Sequence, residues 1–299
     1  MSFLDTITPD AMRARFAALC EERPDIRVTS YLLQGTEFGT EWIHSVGVAT
    51  DAGLRKFAPP LPPPALRGIT AAPEEEVFLW TGARDLSYFL KLYREHAGAA
   101  PAVPNVLDFG CGCGRLTRFL GLSGDYRAFG CDANPDHVKW CAENLRSVDT
   151  RLNQTAPPLP FDDGQMHLVY ALSVFTHLTR QRAADWLNDL ARVLCPGGIL
   201  ILTTHGRCAL DIIKGSTAHQ KMFSMSADEA SQAIEQISAG EYVYRPYGKA
   251  TLAQANLGNE YGNSFTDGAR AAQWEPFELL ACHSGGLRHW QDAVVLRKR

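Results

Sequence analysis

Short apolar runs alternate with amphipathic segments over residues 103–204, and this alternation restricts the fold more than any other feature of the sequence. Five apolar runs predict strands at 103–109, 126–131, 150–152 (the weakest), 168–174 and 199–203. Apolar residues at helical spacing lie between them and predict helices at 115–122, 135–146 and 180–194. Strands that alternate with helices form a parallel sheet covered by helices on both faces. The sequence therefore predicts an α/β fold.

The segments on either side of this alternation are less regular. Residues 1–100 combine helical patterns with the proline run FAPPLPPP, and we expect a helical and extended N-terminal extension. The alternation lapses over 206–265, which we predict to be a small insert. Within it, Ser226 and Glu229 have the spacing of a capping box, which predicts a helix that ends before Gly240. The apolar runs 277–282 and 293–297 predict a C-terminal antiparallel hairpin.

The composition disfavours several classes of protein. A formal net charge of -4 indicates no general affinity for nucleic acid. No stretch reaches the roughly 18 apolar residues that a membrane span needs, and the charged N-terminus is unlike a signal peptide. The eight cysteines are scattered through apolar contexts, which favours reduced thiols over disulfides. We therefore expect a cytoplasmic protein.

The stretch VLDFGCGCGR, where a predicted strand runs into three glycines, is the strongest functional signal. Cys111 and Cys113 lack a second cysteine or histidine pair at a matching distance, and their spacing is not C-x-x-C, so we predict neither a metal site nor a redox pair. The dinucleotide pattern G-x-G-x-x-G requires a third glycine where Arg115 stands. A nicotinamide-dependent oxidoreductase is therefore disfavoured.

Two carboxylates point to a different ligand. Asp108 comes directly before the glycine turn, where it would repel a pyrophosphate but attract an ammonium group. Asp132 ends the next predicted strand, 24 residues later, where it can accept hydrogen bonds from a ribose diol. The glycines between them allow the backbone to approach a ligand closely. An ammonium group, a ribose and a closely held chain together describe S-adenosylmethionine.

Four segments in order resemble the motifs of class I S-adenosylmethionine-dependent methyltransferases. They are VLDFGCGCGR, GCDANPDHVKWCAEN, APPLPFDDGQMHLVYALSVFTHL and WLNDLARVLCPGGILILTTHG. The resemblance implies a Rossmann-like sheet of seven strands, mostly parallel, with the antiparallel hairpin at its end. It also implies a methyltransferase domain over 101–299, with the insert at about 206–265 on the substrate side. Residues 1–100 are not explained by it.

The resemblance implies a set of cofactor-binding residues. Asp108 and the loop residues Gly110, Cys111, Gly112 and Gly114 would line the methionine part of the cofactor. Asp132 would hold the ribose hydroxyls, and Ala133 and Asn134 would lie beside the adenine. Gln154 and Thr155 would approach the adenine amino group, and Leu172 and Ser173 would close the far side.

Methyl transfer to a hydroxyl group needs a general base, most often a histidine. His177 follows the predicted strand 168–174, and His205 follows the strand 199–203 at an end where ligands collect in open α/β sheets. A packing role is the alternative for each, and the sequence does not choose between them.

The methyl acceptor is the least determined part of the prediction. Tyrosines and asparagines of the insert can stack on and hydrogen-bond a sugar or a small aromatic compound, so we expect O-methylation of a small molecule or glycan, with no nucleic-acid partner. An N-methyltransferase or a macromolecule methyltransferase remains open, although the stretch YALS stands where an Asn-Pro-Pro-Tyr-like motif for nitrogen acceptors would lie. A non-catalytic S-adenosylmethionine-binding module is the third alternative.

Overall fold

The computed structural model describes residues 60–69, 74–123, 125–248, 261–270 and 274–299. Most of the predicted N-terminal extension, including its first helical pattern, lies outside these residues. The chain divides into two compact units. The first unit comprises Met1–Glu95, Pro101–Pro104 and Cys111–Arg151, and the second comprises His96–Ala100, Asn105–Gly110 and Leu152–Arg299. The predicted domain division at residue 100 stays a prediction.

The helices and strands alternate along the chain as the sequence predicts. In chain order they are α1 (Pro64–Ile69), α2 (Glu75–His96), β1 (Asn105–Phe109), α3 (Thr117–Ser123), β2 (Arg127–Asp132), α4 (Pro135–Asn144), β3 (Val148–Leu152), β4 (Met166–Ala171), α5 (Arg180–Val193), β5 (Leu194–Thr204), α6 (Arg207–Gly215), α7 (Thr217–Phe223), α8 (Ala227–Ala239), β6 (Val243–Pro246), β7 (Gly262–Phe265), β8 (Phe277–Leu287) and β9 (Gln291–Lys298). Among these helices, none is long and apolar enough to cross a membrane.

Seven strands form one mixed sheet in the order β3-β2-β1-β4-β5-β9-β8, and β6 and β7 form a two-stranded ribbon. In the second unit, β4 pairs in parallel with both β1 and β5. Strand β9 runs antiparallel to β5 and to β8, so the predicted C-terminal hairpin completes the sheet. The predicted Rossmann-like α/β fold is confirmed.

The central strands of the second unit are buried on both faces. Leu168 and Val169 of β4, Leu200 of β5 and Val294 of β9 have no exposed surface. Such strands appear in sequence as continuous apolar runs rather than alternating ones. Burial of each such side chain contributes about 1.5–3 kcal/mol, so the sheet holds the carboxyl ends of β4 and β5 firmly in place.

Two element boundaries differ from the predicted ones. Helix α2 begins at Glu75, although the helical spacing of Leu86, Phe89, Leu90 and Tyr93 predicts a helix only from about Asp85. It continues through Gly82, where an added Cβ would lie 2.2 Å from the carbonyl oxygen of Arg115, so the glycine permits a close backbone contact within the first unit. The residues CPGG before the predicted strand 199–203 indicate a turn, but β5 begins at Leu194 and includes them. Leu194 pairs with Met166 of β4, and the register shifts between Met166 and Leu168.

The insert forms its own apolar core in the second unit. Helix α8 has the predicted capping box, and Gly240 ends it in the left-handed conformation. Helices α6 and α7 were not predicted. The N-cap residue of α6 is Gly206, which has no side chain to cap the helix. The sequence therefore lacks the serine, threonine, aspartate or asparagine that usually indicates a helix N-terminus. The core residues are Leu210, Ile213, Met225, Ala230, Ala233, Ile234, Ile237 and Phe265.

Candidate functional site

The glycine loop has a backbone that only glycine adopts readily. Gly110, Gly112 and Gly114 have φ values of 80°, 55° and 78°. In the first unit, a Cβ added at Gly114 would lie 2.4 Å from Cδ1 of Leu145, so packing excludes a side chain as well. The loop closes on itself through a hydrogen bond from the Gly114 N–H to the Cys111 carbonyl, 3.0 Å.

Asp132 organises the loop from the end of β2. Its Oδ2 accepts a hydrogen bond from the Gly112 N–H and its Oδ1 accepts one from the Asn134 N–H, both at 2.8 Å. The side chain is 16% exposed. A carboxylate offers about four lone-pair sites, so two backbone donors leave acceptor capacity for a ligand diol. Asn134 caps α4 by accepting from the Asp136 N–H, and Ala133 beside it is half-buried.

His137 is a neighbour of this carboxylate that the sequence did not single out. It lies in the first turn of α4, is 3% exposed, and its Nδ1 is 3.6 Å from Oδ1 of Asp132. Neither ring nitrogen has a hydrogen-bond partner among the described residues. A buried histidine at the first turn of a helix has no distinctive sequence signal, because an apolar residue is equally common there.

Arg115, which stands where a dinucleotide loop has its third glycine, is held within the first unit. Its Nη1 donates to Oδ2 of Asp85 at 2.9 Å and to Oγ1 of Thr81 at 3.0 Å, both on α2. Asp85 is 1% exposed. The arginine therefore neutralises a buried carboxylate and anchors the start of α3.

The expected cofactor residues of the second unit lie at the carboxyl end of β1 and after the ends of β3 and β4. Asp108 is buried and in register with Tyr170. Ser173 has a φ of 59°, and its N–H donates to Oγ1 of Thr203 at 2.8 Å. Its hydroxyl accepts a hydrogen bond from Nε2 of Gln291, also at 2.8 Å. The strained backbone is thus held by two side chains from neighbouring strands, and Leu172 beside it is half-buried.

The segment after β3 brings in a residue that the sequence missed. Gln154 and Thr155, the expected adenine contacts, are exposed. Asn153 is buried, and its Nδ2 donates to the Gln154 carbonyl at 2.7 Å. Its Oδ1 has no hydrogen-bond partner within the described part of the chain. An amide oxygen with this freedom can accept a hydrogen bond from a ligand amino group.

His177 lies in the turn after β4 and is held by the ribbon. Its Nδ1 is 3.0 Å from the carbonyl oxygen of Gly262. A carbonyl only accepts, so this contact is a hydrogen bond only in the tautomer with hydrogen on Nδ1, which leaves the lone pair on Nε2. Desolvation lowers the pKa of His177 below its usual range, and the hydrogen bond to Gly262 opposes this in part. The ring is therefore neutral at physiological pH, and in this tautomer it offers Nε2 as an acceptor.

His205 follows β5 and is surrounded by aromatic rings. It is 2% exposed, and its ring centroid lies 5.5 Å from those of Phe223 and Phe265 and 5.7 Å from that of Trp290. Desolvation, with a smaller effect of His177, lowers the pKa of His205 to about 3. The two expected bases are neighbours, with ring centroids 6.3 Å apart.

Tyr247 and Asn263 complete the surroundings of His177. The Tyr247 hydroxyl oxygen is 2.7 Å from Nδ1 of His177, and the hydroxyl donates to Oδ1 of Asn263 at 3.1 Å. Burial raises the pKa of Tyr247 to about 12, so the phenol keeps its proton. Tyr247 was expected only as part of a general aromatic surface. The described residues contain no group of three or more His, Cys, Asp or Glu side chains that could hold a metal ion.

Comparisons with known proteins agree with this geometry. Residues 106–198 match a family model described as "Methyltransferase domain". The chain is 25% identical over 155 residues to a mitochondrial ubiquinone biosynthesis O-methyltransferase of Dictyostelium discoideum, covering 46% of this chain and 47% of that protein. It is 31% identical over 104 residues to a tRNA (carboxymethyluridine(34)-5-O)-methyltransferase of Arabidopsis thaliana, covering 34% of this chain and 24% of that protein.

The chain thus spans less than half the length of either relative. A solved SAM-dependent methyltransferase of Methanosarcina mazei is 15% identical, with a TM-score of 0.48 over 69% of this chain and 96% of that one. The match over residues 106–198 follows the glycine loop, the two acids and the strands β1 to β5 in order. Residues 106–198 therefore form a methyltransferase domain of the Rossmann-like, S-adenosylmethionine-dependent kind.

Proposed function

We propose that this chain transfers a methyl group from S-adenosylmethionine to an oxygen atom of a small molecule or glycan, with His177 as the general base. The observation that carries the proposal is the hydrogen bond between Nδ1 of His177 and the Gly262 carbonyl. It leaves a neutral Nε2 lone pair at the carboxyl end of β4, where open α/β sheets bind their ligands.

The cofactor residues are proposed on the resemblance together with their surroundings. Asp108 would hold the ammonium group, and the loop Gly110, Cys111, Gly112 and Gly114 would line the methionine part. Asp132 would accept hydrogen bonds from the ribose hydroxyls, and Ala133 and Asn134 would lie beside the adenine. Gln154 and Thr155 would approach the adenine, and Leu172 and Ser173 would close the far side. The acceptor capacity left on the Asp132 carboxylate fits a ribose diol.

The cofactor supplies a methyl group already activated by its sulfonium, so the chain has to position the acceptor and remove a proton. When bound, S-adenosylmethionine would give up this methyl group to the acceptor oxygen and leave as a neutral thioether. His177 would accept at Nε2 the proton that the acceptor hydroxyl loses, and would later release it to water.

His177 is a better candidate base than His205 because its ring is more accessible. His177 is half-buried, whereas His205 is 2% exposed and enclosed by aromatic rings. Desolvation lowers the pKa of both rings, and the pKa of His205 falls to about 3. A base is most effective when its pKa lies near the operating pH, so His205 is poorly suited to this role. We propose that His205 fills space beside His177.

The names of two relatives support oxygen as the acceptor atom, since both are O-methyltransferases. One of them acts, by its name, on tRNA. The expectation of no nucleic-acid partner therefore needs a direct test, and tRNA belongs in any panel of acceptors.

Calorimetric titration with S-adenosylmethionine tests cofactor binding. Replacing Asp132 by alanine removes charge-assisted hydrogen bonds and should weaken binding by about ten- to a hundredfold. The matched control is Asp136→Ala, which removes an exposed carboxylate from the first turn of the adjacent helix α4 and should change affinity little. Equal binding by the wild-type chain and Asp132→Ala would contradict the assignment.

Turnover assays that detect the demethylated cofactor can then compare sugars, phenols, amines and tRNA as acceptors. Once an acceptor is found, His177→Gln should lower kcat by roughly 10²–10⁴-fold with cofactor affinity unchanged. A kcat that stays within twofold of wild type would reject His177 as the base. Turnover only with amines would reject the oxygen acceptor.

A further inference from the structure

Two residues of the second unit surround Nδ1 of His177, the ring nitrogen that is not the proposed base. Gly262 lies in strand β7, and Tyr247 directly follows strand β6. Nδ1 faces two oxygens, the Gly262 carbonyl at 3.0 Å and the Tyr247 hydroxyl at 2.7 Å. Two neighbours at one nitrogen raise the question of which of them shares the hydrogen.

The Tyr247 hydroxyl has a single hydrogen to donate, and two groups stand near it. One is Oδ1 of Asn263, at 3.1 Å, which can only accept. The other is Nδ1 of His177. When the phenol hydrogen points to Asn263, a lone pair of the Tyr247 oxygen faces Nδ1 of His177. A hydrogen on Nδ1 can then be shared between the Tyr247 oxygen and the Gly262 carbonyl. When the phenol hydrogen points to Nδ1 instead, Nδ1 has to accept it with its lone pair, and the hydrogen of the ring is on Nε2.

We propose that Asn263 acts through Tyr247 as a positioning residue that keeps His177 in the form with hydrogen on Nδ1 and the lone pair on Nε2. This inference rests on the proposed function, because a fixed lone pair on Nε2 matters only if that nitrogen removes a proton. Asn263 is 7% exposed, so water does not readily replace its amide oxygen.

The backbone around this group is built to hold it rigidly. The Gly262 N–H donates to the His177 carbonyl at 3.1 Å, and the Ser264 N–H donates to the Thr176 carbonyl at 2.8 Å. A Cβ at Gly262 would lie 2.2 Å from the carbonyl oxygen of Arg245, so glycine is required for the close approach of β6 and β7. The chain segment that carries His177 and the strand that carries Asn263 are therefore fastened to each other.

Few titratable groups face the His177 ring in the described part of the chain. They are Tyr247, whose pKa is raised by burial and by Tyr244, and His205, whose centroid is 6.3 Å away. Both are neutral near pH 7.5, since the pKa of Tyr247 is about 12 and that of His205 is about 3. The distribution of the His177 hydrogen between its two nitrogens then depends on hydrogen bonds rather than on charge.

Nitrogen-15 NMR of the free full-length chain, labelled at histidine, measures this distribution directly at pH 7.5. The signals of His177 among the nine histidines are assigned from their loss in His177→Gln. In the wild-type chain, the population of the tautomer with hydrogen on Nδ1 should exceed that of the Nε2–H tautomer by about tenfold or more. One well-made hydrogen bond stabilises a state by about this factor. A predominance of the Nε2–H form would overturn the proposal.

Three variants separate a positioning role from a merely structural one. Asn263→Ala frees the phenol hydrogen to turn toward Nδ1 and should lower the ratio severalfold. Tyr247→Phe leaves the Gly262 carbonyl as the only partner and should keep the Nδ1–H form. The double variant should regain that form as well. If it keeps the lowered ratio of Asn263→Ala, Asn263 does not act through Tyr247 and the proposal fails.

Tyr242→Phe is the matched control. Its hydroxyl donates to the Leu178 carbonyl at 2.8 Å, next to the same turn but away from the His177 ring, so its loss should leave the ratio unchanged. A change as large as that of Asn263→Ala would mean that the ratio reports general loosening, and would overturn the proposal. The measurement needs neither cofactor nor acceptor. Failure to bind S-adenosylmethionine would therefore reject the proposed function and leave the NMR result standing.

Discussion

Asp189 in helix α5 accepts hydrogen bonds from two partners, and its replacement by alanine should destabilise the second unit markedly. The carboxylate is 7% exposed. Its Oδ2 accepts from the Leu159 N–H at 2.6 Å, and its Oδ1 accepts from Nε of Arg192 at 2.7 Å. Arg192 in turn donates to the carbonyls of Leu159 and Phe161, at 3.0 and 2.8 Å. Asp189 thus fastens the segment that leads into β4.

The expected cost follows from these contacts. Removing the carboxylate leaves the buried Leu159 N–H without an acceptor, which costs about 1–3 kcal/mol. Arg192 keeps its two carbonyl partners and is 28% exposed, so the lost ion pair adds only about 1 kcal/mol. The sum is about 2–4 kcal/mol. At about 2–4 °C per kcal/mol for a domain of this size, the melting temperature should fall by roughly 5–15 °C.

Thermal unfolding followed by circular dichroism, with urea unfolding as a check, measures this cost. The matched control is Asp149→Ala. Its carboxylate pairs with Arg151 at 2.7 Å, but the two side chains are 43% and 39% exposed. Its loss should cost no more than about 0.5 kcal/mol. If the melting temperatures of Asp189→Ala and Asp149→Ala differ by less than about 1 °C, burial of the carboxylate does not determine its contribution.

Three further predictions concern the ribbon, acid stability and α2. Gly262→Ala should lower the melting temperature and weaken catalysis. Gly248→Ala, whose Cβ would meet no atom of the described residues within 4 Å, should do neither, and equal effects would contradict the clash at Gly262. His205 has a pKa of about 3 in the folded protein, below its value of about 6.5 in the unfolded chain. The neutral ring therefore contributes to stability above about pH 6.5. This contribution is lost as the pH falls, by about 1.4 kcal/mol for each pH unit. His205→Phe should therefore lose less stability than wild type between pH 7.5 and 4.5 in urea unfolding, and an equal loss would refute this. Asp85→Ala removes the buried carboxylate that pairs with Arg115 and should cost about 3–5 kcal/mol in the same assay, whereas a loss under about 1 kcal/mol would show that the pair is dispensable.

Local patterns in the sequence were sufficient for the features that depend on neighbouring residues. The alternation of apolar runs with helical spacing predicts the parallel part of the sheet, because burial on both faces requires continuous apolar strands. Ser226 and Glu229 predict the start of α8, and Gly240 predicts its end, because a helix terminus is satisfied by residues within a few positions of it. Gly110 and Gly114 have positive φ angles. Residues that carry a Cβ atom rarely adopt this conformation, so the glycines themselves indicate the turn.

Only the tertiary structure decided how the candidate base is surrounded. Tyr247 lies 70 positions from His177 in the sequence, and Asn263 lies 16 positions from Tyr247, so no local pattern connects them. The sequence likewise ranked His177 and His205 equally. Their protonation depends on desolvation and on which carbonyl the ring meets, and both are set by the packing of the ribbon and the aromatic rings around them. The sequence alone names the two histidines, because residue type is local. Only the packing decides that Nδ1 of His177 meets the Gly262 carbonyl and that aromatic rings enclose His205, because those contacts join distant parts of the chain.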